Sequence, residues 1–338
     1  MSIEVVVAKE SDKELWEKIV RESIHTHIFH SWEWLKIAEK HTENKLYPLI
    51  ILKGETPIGI YPVFLNSRHF LKLAFSPPPY TGISYLGPAV LDYHKLKEDK
   101  KLSILDGLVK SVNSLLFSEF NASYFLTNLS PKLIDIRPYK WLGYEIEPFF
   151  HYSLDLSKGP EEVWRRFKKE ARENVKKAIK SGFIAEIGTI EDIKFVYDML
   201  KERYTEQGIR MGMRYEYLKE VCKKFEDNIK IFLCKKDSGY TTGIVALCFK
   251  DRISFWMGGA KSGSNYSNDL VHWEAIKWAC ENGFKYYEEF GAGTERLARF
   301  KSKFNPELVI CFSVRKYKGF HMKLLEHVYK MGRNYLRI

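Results

Sequence analysis

The hydrophobic and polar positions of this chain repeat one pattern twice. Residues 49–65 form two apolar runs separated by a polar turn that contains Gly54, and residues 231–249 do the same around Gly239. In each copy a Gly-Ile pair opens the second apolar run. Two apolar runs joined by a short glycine-containing turn predict a β-hairpin. The repeat therefore predicts two copies of one α/β unit, and a cleft between them is a natural place for a ligand.

The segments around the two hairpins also correspond. Helical spacing of apolar residues precedes each hairpin, and a helix, a short aromatic strand, a further helical piece and a last strand follow it. These patterns predict an α/β (α+β) fold of mixed sheets flanked by helices. The length of 338 residues suits two domains, which we place at residues 1–150 and 151–318.

The end of the chain, residues 321–335, has an apolar helical face surrounded by Lys and Arg. A basic amphipathic helix can lie on an anionic membrane, so peripheral membrane contact is one interpretation. Packing onto the protein is the favoured one, and we expect residues 319–338 to return to the first domain. The sequence contains no apolar run of about 18 residues and no signal-peptide pattern, which predicts a cytoplasmic protein without a transmembrane segment.

Basic residues outnumber acidic ones, 54 to 43, for a net charge of +11. They cluster, which favours an anionic partner such as tRNA or a nucleotide-linked precursor over a merely basic surface. The predicted helix 161–181 carries eight cations against four acids, and Arg172, Lys176 and Lys177 are its candidate phosphate ligands. The alternative for this helix is a solvated basic face. Five scattered cysteines without a CxxC pair are expected to be ordinary thiols, and we expect a monomer.

Three motifs follow one another in the second half of the chain. Residues 172–182 have the pattern R-x-N-x-x-K-A-x-x-x-G, residues 258–293 form a strand–loop–helix–Gly–strand block, and residues 300–304 read F-K-x-x-F. Their order resembles that of the FemABX family, the peptidoglycan interpeptide-bridge aminoacyltransferases, in which two GNAT-like acyltransferase domains are joined in tandem. The chain departs from that family at Asn305, where a Gly is usual. The short distance from Pro160 to Gly182 leaves no room for the coiled-coil arm of some members.

The resemblance implies roles for several residues. Lys301 takes the position of the catalytic group that stabilises the oxyanion or the 3′ end of tRNA, and Phe300 orients it. Arg299 and Lys303 belong to the same basic cluster after a predicted strand, where ligands of α/β sheets collect. The acceptor-binding positions correspond to Lys36, Arg210 and Arg214. For each of these residues the alternative is an ordinary surface or core side chain.

Two neighbouring carboxylates are candidates for a general base. Glu288 and Glu289 occupy adjacent strand positions and therefore face opposite sides of the sheet, so one of them can point into the cleft. His25, His27 and His30 form a cluster, but their spacing matches no zinc motif. We therefore predict no metal and no tightly bound cofactor.

The donor is the least determined part of the prediction. Single-domain GNAT enzymes bind the pyrophosphate of coenzyme A on a Q/R-x-x-G-x-G/A loop before a helix, and residues 258–265 lack that pattern. This favours the first hypothesis, transfer from aminoacyl-tRNA to an amine of a cell-envelope precursor. The second hypothesis is an acyl-CoA-dependent N-acyltransferase that acts on a sugar or peptide amine. The third is a binding protein that uses a duplicated fold without catalysis.

Overall fold

The structure is a computed structural model, and it describes residues 2–68, 71–237, 239–264, 266–319 and 322–324. The described residues divide into two compact units, of which unit 1 comprises those from 2 to 148 and from 311 to 324 and unit 2 comprises those from 149 to 310. Sequence analysis assigned residues 311–318 to the second domain. In the structure they close unit 1, because Ser313–Tyr317 pair with the strand that contains Tyr124–Asn128.

Unit 1 is a mixed sheet with helices against it. Its strands and helices are β1 (Ile3–Val7), α1 (Lys13–Glu22), α2 (Trp32–His41), β2 (Lys45–Lys53), β3 (Thr56–Arg68), β4 (Leu71–Ser76), β5 (Ala89–Val90), α3 (Glu98–Ser114), β6 (Tyr124–Asn128) and α4 (Arg137–Trp141), followed by the start of β7 (Glu145–Asp155) and, late in the chain, the end of β13 (Glu307–Tyr317). The strand order is β1-β2-β3-β4-β6-β13, with β5 on β3. All of these pairs are antiparallel except β4 with β6, which is parallel.

Unit 2 repeats the arrangement. Its elements are the end of β7, α5 (Gly159–Arg166), α6 (Lys169–Lys180), β8 (Ile184–Ile187), α7 (Ile193–Glu206), α8 (Tyr215–Lys224), β9 (Ile229–Lys236), β10 (Gly239–Phe249), β11 (Arg252–Ala260), α9 (Ser267–Glu281), β12 (Tyr286–Glu289), α10 (Glu295–Ser302) and the start of β13. The strand order is β7-β12-β11-β10-β9-β8. Of the five strand pairs in this order, as far as the structure describes them, β11 with β12 is parallel and the other four are antiparallel. Both predicted hairpins are confirmed, as β2–β3 and as β9–β10.

The predicted helix 161–182 is wrong in one respect, because it is two helices. Phe167 has an extended backbone between α5 and α6, and the N–H of Lys168 donates to the carbonyl of Lys303 at 2.9 Å instead of continuing a helix. The Phe167 ring packs against Trp273 and Phe304, with centroids 5.5 and 5.1 Å away. A buried aromatic contact thus outweighs the helical periodicity at this point.

The cores of the two units lie between sheet and helices. In unit 2 the predicted apolar stripe of α5 and α6 is confirmed, because all its members are buried against α9 and the sheet: Val163, Phe167, Ala171, Val175 and Ala178. In unit 1, α3 buries Leu105 and Leu108 in a cluster with Tyr61 of β3. None of the helices in the part of the chain that the structure describes is long and apolar enough to cross a bilayer.

The predicted terminal helix falls mostly outside the described residues. Only residues 322–324 of that segment are described, and they are helical. The expected return of residues 319–338 to the first domain therefore stays a prediction.

Candidate active site

The sheet of unit 2 forks beside the parallel strand pair β11–β12. Strands β11 and β12 pair over four positions, which end at Phe255 and Glu289. Beyond them β11 continues to Ala260, whereas the chain after β12 stays with β7, since the N–H of Ala292 donates to the carbonyl of Phe150 at 2.8 Å. The register between β10 and β11 also shifts here, which leaves Trp256 as an extra residue. Two parallel strands thus separate at their carboxyl ends, where open α/β sheets bind ligands.

The predicted catalytic Lys301 lies at this fork. It projects from α10 and is only 3% exposed. Its ammonium donates to the carbonyl of Phe290, and to that of Gly291 at 3.3 Å. The Nζ atom is 5.4 Å from the centre of the Phe255 ring, on the other branch of the fork. Burial lowers the pKa of Lys301, and the nearby charge of Glu289 partly opposes that shift.

Glu289 faces α9 inside the same cluster. It is 3% exposed. Its Oε1 is 3.3 Å from Nδ1 of His272, and its Oε2 is 3.9 Å from Nζ of Lys301. The hydroxyl of Tyr287 lies 3.1 Å from the same His272 nitrogen, and burial raises the pKa of Tyr287 well above its usual value. An acid, an imidazole and an amine from three elements therefore meet in a dry interior.

Glu288 points to the opposite face of the sheet, as the alternation along a strand requires. Its two carboxylate oxygens are bound by Arg252 Nη1 at 2.5 Å and by the Ser254 hydroxyl at 2.9 Å. Of the two candidate bases, Glu289 is the one that faces Lys301.

Lys303 is buried, whereas the prediction placed it in contact with substrate. Its ammonium is 2.5 Å from Oδ1 of Asp269, and the two residues are 7% and 4% exposed. The same ammonium lies 4.4 Å from the centre of the Phe300 ring. Lys303 thus ties α10 to the first turn of α9 through an internal ion pair.

The loop between β11 and α9 is where a single-domain GNAT enzyme would hold pyrophosphate. Gly258 has φ +144°, and a Cβ there would lie 2.3 Å from the carbonyl oxygen of Gly243, so this glycine allows close packing of β10 and β11. The hydroxyl of Ser267 already contacts Thr242 and the carbonyl of Ser264. The carboxylate of Asp269 lies in the first turn of α9, where the ammonium of Lys303 balances its charge.

The cations of α6 divide into two groups. Lys176 and Lys177 are exposed, and Nζ of Lys177 lies 5.4 Å from the centre of the Tyr266 ring. Arg172 is half-buried and donates to the carbonyl of Arg165 at 3.3 Å. Two of the three predicted phosphate ligands therefore face solvent.

The remaining predicted residues lie at the surface. Arg210 and Arg214 are exposed in the segment between α7 and α8. Arg299 is exposed on α10 and pairs with Glu295 at 2.7 Å. In unit 1, Nζ of Lys36 is 2.5 Å from Glu39 on the same helix. Within unit 2 the structure thus groups Lys301, Phe300, Lys303 and Glu289, and leaves Arg210, Arg214 and Arg299 outside that cluster.

Sequence reasoning missed two members of the cluster, His272 and Asp269. His272 lies on the same side of α9 as Ala275 and Ile276, both of which are buried, and an ionisable residue on an apolar stripe is a signal that could have been used. The sequence contains no comparable signal for Asp269, because its ion-pair partner, Lys303, is 34 positions away. Among the described residues, no group of three or more His, Cys, Asp or Glu side chains is arranged to hold a metal ion.

Comparison with known proteins identifies the class. Residues 165–302 match the acetyltransferase (GNAT) domain family. No curated protein sequence matches this chain. The fork, the following helix and the domain match define unit 2 as a GNAT-type acyltransferase domain, and the protein as an acyltransferase.

The whole chain has the architecture of solved tandem structures. It is similar to FemX, with 14% identity, a TM-score of 0.68, and coverage of 91% of this chain and 96% of that chain. It is also similar to L-PGS from Bacillus licheniformis, with 12% identity, a TM-score of 0.55, and coverage of 96% and 98%. A tandem GNAT protein from the clavulanic acid biosynthesis pathway gives 8% identity, a TM-score of 0.56, and coverage of 94% and 99%. The resemblance predicted from the motifs is therefore confirmed at the level of the fold, which is that of FemX.

Proposed function

We propose that this protein transfers an aminoacyl group from aminoacyl-tRNA to an amine of a cell-envelope precursor. The observation that carries the proposal is that residues 258–264, in the segment before α9, lack the Q/R-x-x-G-x-G/A pattern on which single-domain GNAT enzymes hold coenzyme A pyrophosphate. An RNA donor needs no pyrophosphate site at the N-terminus of that helix. The similarity of the fold to FemX supports the same conclusion.

The surface of α6 supports an RNA donor. Lys176 and Lys177 present two exposed cations beside the exposed ring of Tyr266. Cations that follow a phosphate backbone, together with an aromatic ring on which a base can stack, are the usual components of a single-strand binding surface. We propose that this surface receives the acceptor end of tRNA.

Lys301 is the residue proposed to stabilise the tetrahedral oxyanion. Two of its three N–H donors bind the carbonyls of Phe290 and Gly291, which fixes the ammonium at the fork and leaves a third donor for a ligand. Amine attack on the ester forms the C–N bond and places negative charge on the former carbonyl oxygen. The C–O bond to the tRNA ribose then breaks, and the proton lost by the amine passes to the departing ribose oxygen, which becomes a hydroxyl. A fixed donor at the oxyanion contributes roughly 3–4 kcal/mol to such a step.

The second candidate is an acyl-CoA-dependent N-acyltransferase. The match of residues 165–302 to an acetyltransferase domain favours it. It requires residues 258–264 to accept a pyrophosphate without the Q/R-x-x-G-x-G/A pattern.

The donor decides between the two candidates. Purified protein would be offered radiolabelled aminoacyl-tRNA and radiolabelled acetyl-CoA in parallel, with a UDP-linked muropeptide as the acceptor probe. We expect transfer from aminoacyl-tRNA, and transfer from acetyl-CoA alone would contradict the proposal. Lys301→Met should lower kcat by about 100-fold or more, whereas Lys219→Met, at an exposed position of α8, should leave it unchanged.

The proposed reaction also sets where the protein works. Aminoacyl-tRNA is a cytoplasmic donor, so we propose a cytoplasmic enzyme that acts as a monomer on an anionic, nucleotide-linked or membrane-surface acceptor. Fractionation of cells that express a tagged chain would test this location.

A further inference from the structure

One oxygen of the Glu289 carboxylate is buried without a hydrogen bond. Its Oε1 lies near His272, but among the described residues no donor reaches Oε2 within hydrogen-bond distance. The closest cation, Nζ of Lys301, is 3.9 Å away, which is too long for a hydrogen bond. An unbonded, buried acceptor typically costs a folded protein about 1–3 kcal/mol, and more when it is charged.

The neighbouring Glu288 is a carboxylate of the same strand in which both oxygens have hydrogen-bond partners. Both of its oxygens are bound, by Arg252 and by Ser254. The difference between the two residues indicates that Oε2 of Glu289 is kept for a donor that is not part of the chain.

The surroundings hold this oxygen in one place. His272 contacts the other carboxylate oxygen, and its ring is enclosed by Phe255, Phe300 and Phe304, with centroids 5.0, 5.3 and 5.6 Å away. His272 is therefore a positioning residue, because it acts on a ligand only through Glu289. The fork is open next to the pair: Gly291 is exposed, and a Cβ added there would meet no heavy atom within 4 Å.

The pair presents two opposite charges 3.9 Å apart. An α-aminoacyl ester has the complementary arrangement, since its carbonyl oxygen and its α-ammonium are joined through only two carbon atoms. With the carbonyl oxygen on Lys301, the ammonium of such an ester can reach Glu289. A simple acyl group has no cation to place there and would leave the buried Oε2 of Glu289 without a hydrogen bond.

We propose, resting on the proposed aminoacyl transfer, that Glu289 binds the α-ammonium of the donor and that Glu289 and Lys301 together select α-aminoacyl esters. The site takes donors with a free ammonium and rejects donors whose amine is blocked. The pair thus makes the fork an aminoacyl site, distinct from the acetyl site of an ordinary GNAT domain.

The test compares two donors that differ only at the amine. Total tRNA charged with all amino acids is divided, one half is N-acetylated, and both halves are offered with the UDP-linked muropeptide, with products identified by mass spectrometry. The wild-type protein should prefer the free amine by about 100-fold or more, since a site built for a polar group rejects a donor lacking it. Equal use of both donors would overturn the inference while leaving aminoacyl transfer intact. Transfer from acetyl-CoA alone would overturn both.

Variants locate the preference in the carboxylate. Glu289→Gln should reduce the preference to within about 10-fold, whereas Glu289→Asp should retain it at a lower rate because the charge remains. Glu274→Gln, on the surface of α9, is the matched control and should behave as wild type. Thermal unfolding of each variant shows whether it folds. If Glu289→Gln does not fold, the comparison of the two donors with the wild-type protein decides the inference. If it folds and still prefers the free amine as strongly as the wild type, the role of Glu289 is refuted.

Discussion

His151 should make unit 2 sensitive to acid. Its ring is 5% exposed and lies 4.9 Å from the ring of Phe290, beside the carbonyl that Lys301 binds. The pKa of His151 is lowered from 6.5 to about 3, mainly by burial and to a smaller extent by the charge of Lys301. The folded protein therefore keeps this imidazole neutral at a pH where the unfolded chain binds a proton, so the free energy of unfolding falls as the pH drops below 6.5.

The size of the effect follows from the two pKa values. Between pH 7 and pH 5, the protonation of His151 in the unfolded chain removes about 2 kcal/mol from the free energy of unfolding. Other groups titrate over the same range, so the measurement is a difference between wild type and His151→Gln, which cannot bind the proton. Urea unfolding at both pH values should show the wild type losing about 2 kcal/mol more than the variant.

Two results would refute this reasoning. One is an equal loss of stability in wild type and variant. The other is an NMR titration in which the His151 imidazole of the folded protein takes up its proton above pH 5, because the interior would then not exclude the charge.

Two further predictions concern ion pairs and cations. Asp269→Asn leaves Lys303 buried without its counter-charge and should lower the free energy of unfolding by about 3–5 kcal/mol. Lys36→Met breaks an exposed ion pair and should lower it by less than about 1 kcal/mol. Urea unfolding measures both losses, and losses of similar size would contradict the argument that burial makes the first pair more important. Filter-binding assays between 50 and 200 mM salt give the slope of the logarithm of the tRNA binding constant against the logarithm of the salt concentration. Lys176→Gln and Lys177→Gln should each make this negative slope shallower by about 0.7–0.9, because each removes one phosphate contact. Unchanged slopes in both would exclude α6 from the RNA surface.

The sequence could predict the parts of the fold that are encoded locally. Apolar runs on either side of the turns at Gly54 and Gly239 identified both hairpins, and the spacing from Val163 to Ala178 identified the stripe that packs against the sheet. These patterns span only a few residues, so a single sequence contains them completely.

The parts that the sequence could not predict depend on distant contacts. The break at Phe167 is set by Trp273 and Phe304, more than 100 positions further on. Alternation along β12 placed Glu288 and Glu289 on opposite faces, but only the packing of α9 shows which of them meets Lys301. The pairing of Lys303 with Asp269 likewise needs the tertiary structure.

The path of the chain through unit 1 affects how the protein is made. Strand β6 pairs with β4 on one side and on the other with β13, which follows it by almost 200 residues. Unit 2 is contiguous from residue 149 to residue 310, so during synthesis its last residue emerges before the partner of β6 does. The second unit can therefore fold before the first is complete, the reverse of the usual order on the ribosome. A chain interrupted before residue 313 would leave one edge of β6 unpaired, which is a template for aggregation.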